Sequence, residues 1–222
     1  MDIRLLRHPS VLAADLMVVL VGVGIYPLLS LVVRYVQTPA GAGYGFGYSA
    51  AFAGLMLVPY SLASFAASRV IRPLMRRTSL ELLILVGSGL LIISMVVFLF
   101  GRSNLILLLV SMALAGFGIG VIFAIHPAQL HAGVPREETG SANSFYQVLR
   151  YVGYSLGSAL SATLLVATIP PGGSLPSEVG YSAAAWLGIG VLVVGTIVAS
   201  VLNLHVARHP VDVLPRPERV RS

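Results

Sequence analysis

The chain has 222 residues, 57% hydrophobic and 10% charged, with a mean hydropathy of +0.91; this excludes a water-soluble domain, because most of the apolar surface would stay wet. The formal charge of +6 comes from 14 arginines, clustered between apolar runs without the interleaved aromatic and basic residues of a nucleic-acid face, so no nucleic-acid partner is expected. With 0 cysteines, disulfide frameworks, thiolate metal sites and cysteine nucleophiles are excluded.

A helix needs ~20 residues to cross a hydrocarbon core of ~30 Å, and the sequence predicts six such runs. After an amino-terminal tail (residues 1–10) with Arg4 and Arg7, the first span is expected over 11–35. No small-residue cleavage site follows, so this run reads as a span and not as a removable leader. Tyr26, Ser30 and Arg34 share one of its faces at four-residue steps, with Gln37 a turn beyond. That face suits the mouth of a polar pathway, while Arg34 and Tyr35 also suit an interfacial anchor. The Gly-rich loop 38–47 holds Gly45-Phe46-Gly47, which has no preceding strand and is not a dinucleotide fingerprint.

The second span is expected over 48–68, and Pro27 and Pro59 predict kinks in spans one and two. Arg69, Arg72, Arg76 and Arg77 follow. Thr78-Ser79-Leu80-Glu81 has capping-box spacing ahead of the third span, 80–100. The fourth, 105–130, contains Gly116, Gly118 and Gly120. The fifth, 141–169, stops at Pro170-Pro171-Gly172-Gly173. The sixth, 182–204, completes a bundle over 11–206, followed by a tail over 207–222.

The arginines orient this stack, because basic residues gather in short loops on the cytoplasmic side. Arg4, Arg7, Arg69, Arg72, Arg76, Arg77, Arg136, Arg208, Arg216, Arg219 and Arg221 fall on one side, and Arg34 and Arg102 on the other. A multi-pass protein of the plasma membrane with both termini cytoplasmic is expected.

Span five carries the chemistry. Asn143, Gln147, Arg150, Tyr154, Ser158 and Ser161 recur at three- and four-residue steps and draw one polar line. An arginine at the bilayer centre costs roughly 2.5–3.5 kcal/mol, so Arg150 is expected to face a partner, a wet cavity or, by snorkelling, the near headgroups. Gly153 and Gly157 give small-xxx-small spacing for close helix packing, which Gly116, Gly118 and Gly120 of span four are placed to receive.

Asp15 and Glu81 are expected at solvated span ends. His126, His131 and His205 have no carboxylate or second histidine at ligand spacing, so neither metal nor cofactor is expected. The Ser and Thr residues form no nucleophile-base-orienter set, which argues against an enzyme.

The runs RYVQTPAGAGYGFGYSAAFAGLMLVP and HAGVPREETGSANSFYQVLRYVGYSLGSAL resemble the carboxyl-terminal half of drug:proton antiporters of the major facilitator superfamily, fourteen-helix branch. Gly140, Ala142, Arg150, Gly153 and Gly157 fall on that family's Gly-x-Ala, Arg and glycine-patch pattern. The resemblance, over about 14–204, implies an all-α integral membrane fold, half of a major facilitator bundle. In its inverted three-plus-three helix repeat, the first two helices of each triplet line the substrate cavity. It implies an efflux transporter whose lipid-embedded path, with Tyr26, Ser30, Arg34, Asn143, Gln147, Arg150 and Tyr154 as candidate lining, takes a small molecule. A homodimer or a separate amino-terminal half would supply the other wall, since the family's acidic coupling residues and Gly-Pro motif belong to that half. The loop SRVIRPLMRRTS departs from the family by carrying Pro73 and no aspartate. A non-transporting assembly or regulatory protein, or an inactive fragment, is the alternative.

Overall fold

A computed structural model describes residues 9–133 and 139–208, and the regular elements in them are helical: α1 (Pro9–Gln37), a short 3-10 turn (Ala40–Ala42), α2 (Ala50–Leu55), α3 (Val58–Leu74), α4 (Leu80–Gly101), α5 (Leu105–Gly133), α6 (Thr139–Ala167) and α7 (Glu178–Arg208). Among the described residues five segments are long and apolar enough to cross a membrane: Asp15–Gln37, Ala50–Leu74, Leu80–Gly101, Leu105–Ile125 and Glu178–Val201. Where a fifth span was expected there is a helix, α6, 29 residues long like α1, but it is not among these five, its polar residues leaving it less apolar.

The second span is not one kinked helix. It breaks at Met56-Leu57 into α2 and α3, with Pro59 in the first turn of α3. Proline lacks the N–H that a continuous helix would bond to Leu55, and its ring would press on that carbonyl, so the chain restarts where a missing donor costs nothing. Pro27, by contrast, sits inside an uninterrupted α1. At the head of α4 the cap is Ser79 and not Thr78: the Ser79 hydroxyl accepts from the Leu82 N–H at 3.4 Å.

The helices form two layers. α3, α5, α1 and α6 lie side by side in the front one, and α4 and α7 pack on each other behind, α4 against α5 and α7 against α1. Glycine sets most of these contacts by letting backbones meet. A Cβ at Gly153 would stand 2.6 Å from the Val19 carbonyl oxygen, and one at Gly157 2.6 Å from that of Val23, so α6 runs parallel to α1. Gly120 lies equally close to Ser64, and Gly116 closer still to Tyr60, so α5 runs parallel to α3. Gly118 meets Gly87 of α4, and Gly188 of α7 meets Gly24 of α1. The expected pairing of Gly153 and Gly157 with Gly116, Gly118 and Gly120 is therefore incorrect: each set has its own neighbour.

Leu28 and Leu31 of α1, Leu91 and Phe98 of α4, Met112 of α5 and Tyr181 of α7 fill the space between the layers. Two of the buried serines there return their hydroxyl protons to their own helices, Ser94 to the Leu91 carbonyl at 2.6 Å and Ser111 to that of Leu108 at 2.8 Å. The loop after α1 folds back on its own end, Gly47 N–H donating to the Thr38 carbonyl at 2.8 Å. Gly45 is required there, since its φ is +85° and a Cβ would lie 2.5 Å from the Thr38 carbonyl oxygen.

Candidate functional site

α6 carries two stripes instead of one. Gly153, Gly157, Ser161 and Leu165 make a buried stripe against the neighbouring helices. Ser161, expected on the polar line, belongs to this buried stripe, 1% exposed, its hydroxyl donating to the Ser158 carbonyl at 3.0 Å. Gln147, Arg150, Tyr154 and Ser158 lie beside it, each half-buried.

Arg150 stands eleven residues beyond Thr139, roughly 16 Å along the helix at 1.5 Å per residue. Its guanidinium lies 4.8 Å from the ring centre of Phe123 on α5, 5.1 Å from Tyr151 and 5.9 Å from Tyr154, and donates to the Tyr151 hydroxyl at 3.4 Å. A cation over an aromatic face gains about 0.5–1 kcal/mol when exposed and about 2 when desolvated, so several rings together offset much of the insertion cost. Among the described residues the Arg150 Nε and the Gln147 Oε1 are buried without a hydrogen-bond partner.

The Tyr154 ring meets Tyr26 of α1 at 5.4 Å. Next to this pair is a cavity of about 550 Å³ between α1, α3 and α6, lined among others by Tyr26, Ser30, Arg34, Tyr60, Ser61 and Ser158. Arg34 is exposed at its edge. A second cavity of about 810 Å³ lies between α3 and α5, with Ser61, Ser64, Ser68, Arg72, Arg76 and Phe123 in its wall. Ser61 lines both, so the two adjoin along α3.

Of the predicted lining, Tyr26, Ser30, Arg34 and Tyr154 come together, Arg150 joins them through Tyr154, and Gln147 lies a turn away. Asn143 is exposed near the start of α6 and lines neither cavity. Sequence reasoning passed over the α3 wall, Tyr60, Ser61, Ser64 and Ser68. The serines recur at three- and four-residue steps, the same signal that drew attention to α6. Asp15, expected to be solvated, is 8% exposed. Glu81 is exposed in the first turn of α4.

At the opposite end from Arg72 and Arg76 the loops are tied together. Arg102 donates to the Ser182 hydroxyl at 2.8 Å and pairs with Glu178 at 3.9 Å, Thr38 shares a proton with the Tyr181 hydroxyl at 3.2 Å, and the Tyr44 hydroxyl donates to the Pro176 carbonyl. Burial pushes the Tyr44 phenol above its ordinary value, and the nearby Tyr181, Glu178 and Tyr35 add to the effect. Among the described residues no group of three His, Cys, Asp or Glu side chains is placed to hold a metal.

Long apolar helices stacked in two layers, with these two adjoining polar cavities between helices of the front one, define a multi-pass membrane protein. The sequence profile of the Major Facilitator Superfamily matches residues 11–221, and the chain belongs to that superfamily, whose members are transporters and not enzymes. It is 27% identical over 169 residues to "Multidrug resistance protein Stp" of Mycobacterium tuberculosis, in both the CDC 1551 / Oshkosh and the ATCC 25618 / H37Rv strains. The match covers 75% of this chain and 30% of each relative, so the chain spans under a third of their length.

Proposed function

We propose that the chain is one six-helix wall of an efflux transporter of the drug:proton antiporter type, corresponding to the family's carboxyl-terminal half. It works against a complementary helical unit or a second copy of itself. The observation that carries this reading is the front layer, where both cavities, Arg150 and the serine edge of α3 lie on one side while α4 and α7 stay apolar behind. The helix pairing supports an inverted repeat: α1 packs on α6 and α7 as α5 packs on α3 and α4, which maps one triplet onto the other with α6 as the fifth span. A missing wall is consistent with α3, since 17% of the Ala50–Leu74 window is buried, against 61% of Asp15–Gln37. A multidrug relative supports export of small molecules.

The absence of cysteine makes the layer testable. Single cysteines at Ser30, Ser61 and Ser158 should react with a membrane-impermeant thiol reagent in open membranes, while cysteines at Val96 and Ile197, on the lipid-facing helices, should not. Equal labelling of both sets would overturn the proposed path. For transport, cells expressing the chain with a complementary half should hold less of a fluorescent dye than cells with either alone. Equal accumulation would favour the non-transporting reading.

A further inference from the structure

We propose that the two adjoining cavities of the front layer bind an aromatic organic anion, an amphipathic carboxylate. The proposal rests on the reading of this layer as the substrate path and names what the path selects. Formal charge comes first: Arg34 lines one cavity and Arg72 and Arg76 the other, and among the described residues neither wall contains an aspartate or glutamate. The salt bridge described in the structure, Arg102 with Glu178, lies at the loop end and neutralises none of these three. Asp15 is buried in α1 and lines neither cavity. A low-dielectric cleft with charge of one sign concentrates the opposite sign within it.

The aromatic faces point the same way. Rings recruit organic cations by their negative faces, but the Phe123 ring in the wall of the larger cavity already receives the Arg150 guanidinium. A second cation there would meet a fixed like charge, whereas a ligand with an aromatic body and an anionic head meets attraction at both ends. A carboxylate matches the guanidinium fork, and its remaining lone pairs find donors in the hydroxyls of Ser30 and Ser158. The cavity of about 550 Å³ falls in the range of drug-sized ligands, and Tyr26 and Tyr60 supply the apolar flanks.

Two xanthene dyes of opposite charge test this, carboxyfluorescein and the cationic tetramethylrhodamine ethyl ester, titrated by fluorescence anisotropy against the purified full chain in phosphatidylcholine nanodiscs. Carboxyfluorescein should bind at least tenfold more tightly. Arg34→Gln and the double variant Arg72→Gln/Arg76→Gln should each weaken it about tenfold, and free benzoate should compete. Arg77→Gln, the same change of charge outside both cavities, should alter affinity less than twofold. An equal loss in Arg77→Gln would reduce the effect to general attraction and overturn the proposal. Preference for the cationic dye would overturn the anionic class while leaving a transport path standing. Binding of neither dye would overturn both. Displacement by phosphatidylglycerol and not by benzoate would overturn the proposal in favour of a lipid headgroup.

Discussion

Arg150 is held near the middle of its helix by rings on α5 and on its own turn, so its charge is stabilised without a carboxylate among the described residues. Arg150→Ala is expected to leave membrane insertion and yield unchanged while abolishing any transport measured in the proposed assembly. Unchanged export would restrict Arg150 to a packing role. At the loop end, the Tyr44 phenol is raised above its ordinary value of 10.0. A raised acid keeps its proton longer in the folded state, so the stability it contributes is complete below pH 10.0 and is lost as pH rises through the folded value. Tyr44→Phe should cost about 1 kcal/mol at neutral pH, and the difference in thermal midpoint from the parent chain should change only in the alkaline range. A difference that changes between neutral pH and pH 9 would contradict this assignment.

At the scale of elements, stability depends on where helices touch through glycine. Gly157→Val would press two methyl groups on the Val23 backbone and should destabilise by about 1–3 kcal/mol, read as a lower thermal midpoint in detergent. Gly190 on α7 has open space within 4 Å, so Gly190→Ala should instead stabilise by about 0.5–1 kcal/mol. If both variants fall together, the glycine contacts are not what joins α1 to α6. The helices themselves were legible in the sequence because length and apolarity are local sums. Each of the five apolar segments overlaps an expected span, the second running on to Leu74 instead of residue 68, and the helix α6 covers most of the expected 141–169. The break of the second span was legible only as a proline, because whether Pro59 kinks a helix or starts a new one depends on what the preceding turn can pack against.

For the whole molecule, the two layers have a direction, and arginine predicts its sense. Cysteines placed at Arg72 and at Gly41 should label from opposite sides of intact cells, Gly41 from outside. Labelling of the Arg72 position from outside would invert the orientation. Half of the candidate site was readable beforehand, on α1 and α6, where polar residues interrupt apolar runs and stand out. The α3 wall was passed over, since its serines, though spaced at three- and four-residue steps, read as ordinary membrane-helix residues until α3 is set beside α1 and α5.

The sequence by itself determined that this chain lives in a bilayer, where its long apolar runs lie, and that α6 must turn a guanidinium away from lipid; each follows from transfer free energies summed along a few turns. Only the tertiary structure decided which glycines meet, that Ser161 and Asp15 are buried, and that Arg34 and the serines of α3 border adjoining cavities. Those outcomes depend on surfaces contributed by segments far apart in the chain, and no local sum contains the identity of the partner.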